Sequence, residues 1–396
     1  MKILTALLSV LFASTSFSQT LQNDNGWRPA WGLDRIDQRE AELNDTYNYT
    51  LTGAGVSVYV FDSGINSSHE EFTGRIEPGF NVINDAYGTE DCSGHGSHTA
   101  SLIGGTTYGV AKQVKLIPVR VLNCRSGNSS SATLYTAINW VIEHHQTGVP
   151  AIINLSVGMS KSIAFNEAAQ ALIADGLIVV GAAGNQNRDA CLYSPASEPS
   201  VISVGGIDRA ALRASYSNYG SCVDIFAPGS DLVGAWFGST NIYRSSSGTS
   251  NAAPIVSGIA ALMLQDNPSL TQSQVEERLK TNATRDVLFN IGSGSQNLLA
   301  YSLFDSSSPA PTTTVPVTTT TIPVTTTTTP AVVVTTTTVA PQPTTRMPIL
   351  KSTRPTIPLP ADMTCTNAGA RIYFYNVPYV CSSGRWLLGA YSPGRP

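Results

Sequence analysis

From about residue 26 to residue 304, short β-branched runs alternate with longer Ala-rich or amphipathic stretches. This alternation constrains the fold more than any other feature of the chain. The runs at 56–61, 114–119, 152–155 and 177–180 are apolar on both sides of the backbone, as strands of a sheet covered on both faces must be. The stretches at 133–145, 166–175 and 251–265 read as helices. Strands separated by helices pair in parallel, because a parallel pair needs a crossover long enough to hold a helix. The chain is therefore predicted to be an α/β protein with a mainly parallel central sheet. Working groups in such a sheet gather at the carboxyl ends of its strands. Asp62 follows the run 56–61 directly and is predicted to lie at such an end.

After Asp305 the composition changes. Thr runs at 312–314, 318–321, 325–329 and 335–338 are spaced by Pro and Val, which cannot build a core. A Thr/Pro-rich linker or stalk is predicted over 305–360. Residues 361–396 carry Cys365 and Cys381 among Tyr373, Phe374, Tyr375, Tyr379 and Trp386. They are predicted to form a small module, closed by one disulfide because so short a segment needs a staple. At the other end, Lys2, the apolar run Ile3 to Ala13 and the small residues Ser14, Ser16 and Ser18 follow the order of a secretory signal. A signal peptide over 1–18 and a large domain over 19–304 are expected. The apolar run is shorter than the ~20 residues of a membrane span, and no other stretch is long enough, so no span is expected.

Secretion lets the six cysteines pair, although their number alone permits fifteen connectivities. They form no CxxC pairs, which argues against zinc. Lys+Arg number 23 against Asp+Glu 27, with no basic run, so nucleic acid is not an expected partner.

Three segments carry chemistry: Val60-Phe61-Asp62-Ser63-Gly64, Gly94-His95-Gly96-Ser97-His98-Thr99-Ala100, and Ser247-Gly248-Thr249-Ser250-Asn251-Ala252-Ala253-Pro254. In chain order they supply a carboxylate to orient an imidazole, an imidazole to take a proton, and a hydroxyl to attack a carbonyl. Ser250 opens an apolar helical stretch, where free amides favour developing negative charge.

With these motifs the sequence resembles the subtilisin-like serine proteases, peptidase family S8, and most nearly the proteinase K and aqualysin-like group. The resemblance runs from about Trp31 to Tyr301. It includes Trp31-Gly32-Leu33-Asp34-Arg35-Ile36-Asp37, Tyr108-Gly109-Val110-Ala111, Pro118-Val119-Arg120-Val121-Leu122, the segment from Ser194 to Val201, and Phe226-Ala227-Pro228-Gly229. It implies the three-layer subtilisin-like fold and a secreted serine endopeptidase with Asp62, His95 and Ser250 as its triad. Asn185, in Ala182-Ala183-Gly184-Asn185, matches the oxyanion-hole asparagine. His98, three residues past His95, is read as structural. Peptide substrates are expected to add as a strand between Ser126-Gly127-Asn128 and Ser156-Val157-Gly158, with Ala182 to Gly184 walling the pocket. The small, uncharged lining implies an apolar or aromatic residue before the scissile bond.

The resemblance also implies disulfides Cys92 with Cys124 and Cys191 with Cys222, leaving Cys365 with Cys381. It implies structural calcium at two places. Asp224 with the carbonyls of Pro199 and Val201 matches the family's strong site. Asp34, Asp37, Gln38, Asn44 and Thr46 match an N-terminal site, weakened by Asn44 standing where relatives have an acid. Three other departures are Met159 for Gly, Asn251 for Met or Phe after the serine, and Thr99-Ala100-Ser101 for Val-Ala-Gly. About a dozen residues separate Ser18 from Trp31, so folding without a long prosegment is expected. The expected partners are protein or peptide substrates of a monomeric enzyme, with surface or glycan contact through the C-terminal module. The rival reading is a secreted binding protein whose aromatic tail does the work and whose large domain is an inert scaffold.

Overall fold

The computed structural model describes residues 16–21, 30–124, 127 and 129–304, and the backbone of 371–374, 377–382 and 385–388. The predicted signal segment up to residue 15, the linker over 305–360, Cys365 and the side chain of Cys381 lie outside the described residues. Within the predicted C-terminal module, Arg371–Phe374, Val377–Ser382 and Arg385–Leu388 form a three-stranded antiparallel meander.

The large domain is organised by nine strands: β1 (Ser57–Asp62), β2 (Phe80–Asn81), β3 (Lys115–Arg120), β4 (Ala151–Leu155), β5 (Ile178–Ala182), β6 (Ile202–Ile207), β7 (Ile225–Pro228), β8 (Thr284–Arg285) and β9 (Leu298–Leu299). They pair in the order β8-β9-β7-β6-β5-β4-β1-β3-β2, and every pairing except β8 with β9 is parallel. The four predicted strand runs fall on β1, β3, β4 and β5. The chain leaves β1 for β3 on one side and then returns to β4 on the other. Ligands of open α/β sheets bind at such a reversal. The register aligns Phe61 with Leu155 and Leu155 with Gly181. Asp62, Ser156 and Ala182 therefore emerge side by side at the carboxyl edge.

Among the described residues six α-helices accompany the sheet: α1 (Trp31–Ile36), α2 (His95–Gly104), α3 (Ser131–His144), α4 (Ile163–Ala174), α5 (Thr249–Asp266) and α6 (Gln272–Asn282). Strands β4 and β5 are buried at every position, so both faces of the sheet are covered. Helices α2 and α5 pack on each other and on one face, while α3 packs on α4, which lies against β5. Helix α5 is buried without interruption from Asn251 to Leu264. Its Ala- and Gly-rich surface lets it run through the core between sheet and α2, which places its amino end at the sheet's carboxyl edge. At the amino end of the chain, Phe17–Thr20 pairs antiparallel with Thr46–Tyr49, so the expected cleavage point near Ser18 falls within a strand.

Candidate active site

Asp62 closes β1 and is fully buried, while His95 opens α2 with its side chain 31% exposed. His95 Nδ1 lies 2.7 Å from Asp62 Oδ1 and 2.8 Å from Oδ2. An ionised carboxylate only accepts, so Nδ1 carries a proton and Nε2 of the neutral ring is left as a base. Burial opposes charging of His95, but the Asp62 carboxylate and, farther off, Asp91 outweigh it and hold the imidazole above its usual range. Asp62 also accepts from the Ser63 N–H at 2.7 Å and the Thr99 hydroxyl at 3.2 Å. The Thr99 contact comes from one of the departures noted in the sequence.

The loop ahead of His95 is fixed by Asp91, which sequence reasoning missed. Its buried carboxylate accepts from Ser63 Oγ, the N–H groups of Ser93, Gly94 and Ser97, and Ser97 Oγ, at 2.6–2.9 Å. The N-cap residue Gly94 has no side chain to offer; its φ of 97° and a Trp236 ring that would meet a Cβ at 2.1 Å both demand glycine. An acid three residues before a helix-opening Gly-His was the available signal. The disulfide Cys92–Cys124 joins this loop to the chain after β3, and Cys191–Cys222 forms the second expected bridge.

Ser250 is the second residue of α5, so its N–H has no partner one turn back in the helix. Its carbonyl would normally accept from residue 254, which is Pro254 and has no N–H. Ser156 Oγ donates to it instead at 2.9 Å, and Asn154 Nδ2 in turn donates to Ser156 Oγ at 2.9 Å. Asn185 Oδ1 accepts from the Thr249 N–H at 2.8 Å and its hydroxyl at 2.9 Å. That leaves Nδ2 as the donor of the Asn185 amide. A Cβ added to Gly248 would lie 2.8 Å from Ser250 Oγ and 3.4 Å from Asn185 Nδ2. Only glycine leaves the space between hydroxyl and amide open.

These groups share one cleft of about 890 Å³. His95, Ser250 and Asn185 line it with the expected substrate residues Gly127, Ser156, Val157, Gly158, Ala182 and Gly184. Ser126 and Asn128 lie outside the described residues. Met159 lines the same cleft and pairs with Ser194 across a short antiparallel bridge. His98 is buried with Nε2 on the Leu232 carbonyl at 2.9 Å, and burial lowers its pKa to about 4. It is a neutral core residue.

The two expected cation positions differ in fit. In the N-terminal cluster Asp34 accepts from the Asn44 and Asp45 N–H groups, Asp37 Oδ2 accepts from Asn48, and Asn44 Oδ1 accepts from Thr46. The Gln38 amide donates to the Glu40 and Glu42 carbonyls of the same loop. Asp37 Oδ1 is buried with no partner, and burial pushes Asp37 up to about 6 and raises Asp34. An orphaned, desolvated carboxylate among hard oxygens fits a divalent cation. At Asp224 both oxygens are already engaged, by the Lys280 ammonium at 2.7 Å and the Ser203 N–H at 2.9 Å. The site expected to be the stronger therefore fits calcium less well, because the chain supplies its own cation there.

Fold and site define an α/β protein that sets a carboxylate-oriented imidazole and a helix-opening serine in one cleft at a sheet reversal. The chain belongs to the subtilase family, whose model matches residues 53–302. It is 50% identical over 274 residues to an extracellular serine proteinase of Thermus sp. (strain Rt41A), which covers 69% of this chain and 66% of that protein. It is 44% identical over 276 residues to alkaline serine exoprotease A of Vibrio alginolyticus, covering 70% of this chain and 51% of that protein. The chain thus spans between half and two thirds of the length of these relatives. The crystal structure of a cold-adapted subtilisin-like serine proteinase superposes with a TM-score of 0.66 at 44% identity, over 69% of this chain and 98% of that one. Among the described residues, no helix is long and apolar enough to cross a membrane.

Proposed function

We propose that the chain is a secreted serine endopeptidase in which Asp62, His95 and Ser250 form the triad and Asn185 serves the oxyanion. The observation that carries this reading is the Asp62–His95 pair at 2.7 Å, opening into the cleft that Ser250 and Asn185 share. Ser250 Oγ attacks the scissile carbonyl carbon as its proton passes to His95 Nε2, and the imidazolium is stabilised by Asp62. Negative charge gathers on the former carbonyl oxygen, where Asn185 Nδ2 and the Ser250 N–H donate. His95 returns the proton to the leaving amine nitrogen and the C–N bond breaks. Water, deprotonated by His95, then attacks the acyl ester, the ester C–O bond breaks, and His95 passes its proton to Ser250 Oγ as the acid leaves. Ser156, Val157 and Gly158 face Gly127 across the strand-like substrate. Ala182 to Gly184 accept an apolar or aromatic side chain, with Met159 narrowing the space.

Asp34, Asp37, Gln38, Asn44 and Thr46 of the N-terminal cluster would hold calcium, which would neutralise the two acids and steady the native loop. The extracellular naming of the Thermus relative and the Lys2-to-Ser18 segment support export. The domain plan of signal, peptidase domain, linker and C-terminal module follows, with the module as a surface or glycan contact on a monomeric enzyme.

An active-site-directed fluorophosphonate tests the assignment. It should label the folded chain and fail on Ser250→Ala, and His95→Ala should abolish peptide turnover. Asn185→Leu should lower kcat by about 10² to 10³, the loss known for the matching donor of a subtilisin. Labelling that survives Ser250→Ala refutes the nucleophile.

A further inference from the structure

Lys280 lies in the last turn of α6, one turn after Glu276. Its Nζ is 2.7 Å from Asp224 Oδ1 and 2.5 Å from Glu276 Oε1, and the three side chains are only 16–25% exposed. One ammonium thus sits between two partly buried carboxylates. An ammonium so placed is a resident charge rather than a surface ion pair. Asp224 Oδ2 accepts from the Ser203 backbone N–H, so both oxygens already hold a donor and the ammonium stands where a second cation would. A calcium ion needs 6–8 oxygens at about 2.3–2.6 Å. It could bind Asp224 only by expelling the ammonium, leaving a lysine to find water from a partly buried position.

We propose that Lys280 is the cation of this site, standing where calcium is implied by the family resemblance, so that the region between β6, β7 and α6 holds its fold without metal. The two acids against one lysine leave net negative charge, and removing the lysine would leave a dianionic pair, to which the resemblance adds the Pro199 and Val201 carbonyls. That set suits a divalent ion. Losing the ammonium should therefore convert a metal-independent site into a calcium-dependent one.

The test uses the full chain carrying Ser250→Ala to prevent self-digestion, with calcium chloride as the probe. Calcium stoichiometry is read by titration calorimetry and melting is followed against free calcium. Lys280→Gln should bind one calcium ion more than the parent, and its melting temperature should fall by several degrees in chelator and recover with calcium. Asp224→Asn, with Lys280 kept, should bind the same number of ions as the parent. If Asp224→Asn loses one ion, calcium displaces the lysine and the proposal is overturned. It is overturned too if Lys280→Gln folds and gains no ion. Should Lys280→Gln not fold, the Asp224→Asn count alone decides. None of these outcomes depends on the protease assignment.

Discussion

At the residue scale, the chain's departures from its family bear on chemistry the motifs alone leave open. Unperturbed histidine titrates near 6.5, and His95 is held higher. Activity needs it neutral, so kcat/KM should rise with pH through a midpoint above 6.5. Thr99 adds a hydroxyl donor to Asp62, which draws charge from the carboxylate and weakens its hold on the imidazolium. Thr99→Val should move that midpoint further up by a fraction of a unit; a downward move in the pH profile contradicts this role. Asn251 is the opposite case. Both polar atoms of its amide are buried without a protein partner, one residue past Ser250. Replacing it with Met should raise stability by about 1–3 kcal/mol, the size of an unsatisfied buried group's penalty, measurable by denaturant unfolding of inactive chains. Nothing in the structure explains why an amide stands there.

At the scale of elements, α2 depends on a residue outside itself. Asp91 caps its amino end with five accepted hydrogen bonds and faces His95 with negative charge. Asp91→Asn should destabilise the fold by about 1–3 kcal/mol and also lower the His95 midpoint. A lost stability with an unmoved midpoint would leave Asp91 a structural cap only. The same helix shows what a sequence can and cannot convey. The segments that carry Asp62, His95 and Ser250 stand out in the sequence because each sits where a strand ends or a helix begins. Strands β1, β3, β4 and β5 were legible as apolar runs. Strand β6 was not, because Ile-Ser-Val-Gly-Gly-Ile carries two glycines that read as a turn, and β7 ends in Pro228, which reads as a stop. Helix α6 is polar on most of its surface, with Gln272, Val275 and Leu279 buried, so its apolar period is thin. The bonds of Asp91 to Ser63 and of Lys280 to Asp224 join segments far apart in sequence, and no local pattern announces those two.

At the scale of the whole molecule, the N-terminal cluster ties the first helix to the strand Thr46–Tyr49, through Asp34 to Asn44 and Asp45 and through Asp37 to Asn48. That strand carries Tyr47, which is fully buried and donates to the Val110 carbonyl at 3.1 Å, so loosening the cluster exposes part of the core. A ligand bound to the native state alone stabilises by mass action, about 2.7 kcal/mol at a hundredfold excess over its Kd. For a domain of this size each kcal/mol moves the melting temperature by about 2–4 °C. Chelator should therefore lower the melting temperature of the full chain by about 5–10 °C and hasten self-digestion as the amino end opens. Asp37→Asn should reproduce the chelated state and abolish its response to calcium, because it removes charge at the carboxylate whose second oxygen has no protein partner. Calorimetry at fixed pH and ionic strength, on chains inactivated at Ser250, separates this from general screening by comparing calcium with equal charge as sodium. Melting that ignores both calcium and chelator would show that the cluster holds its acids without metal.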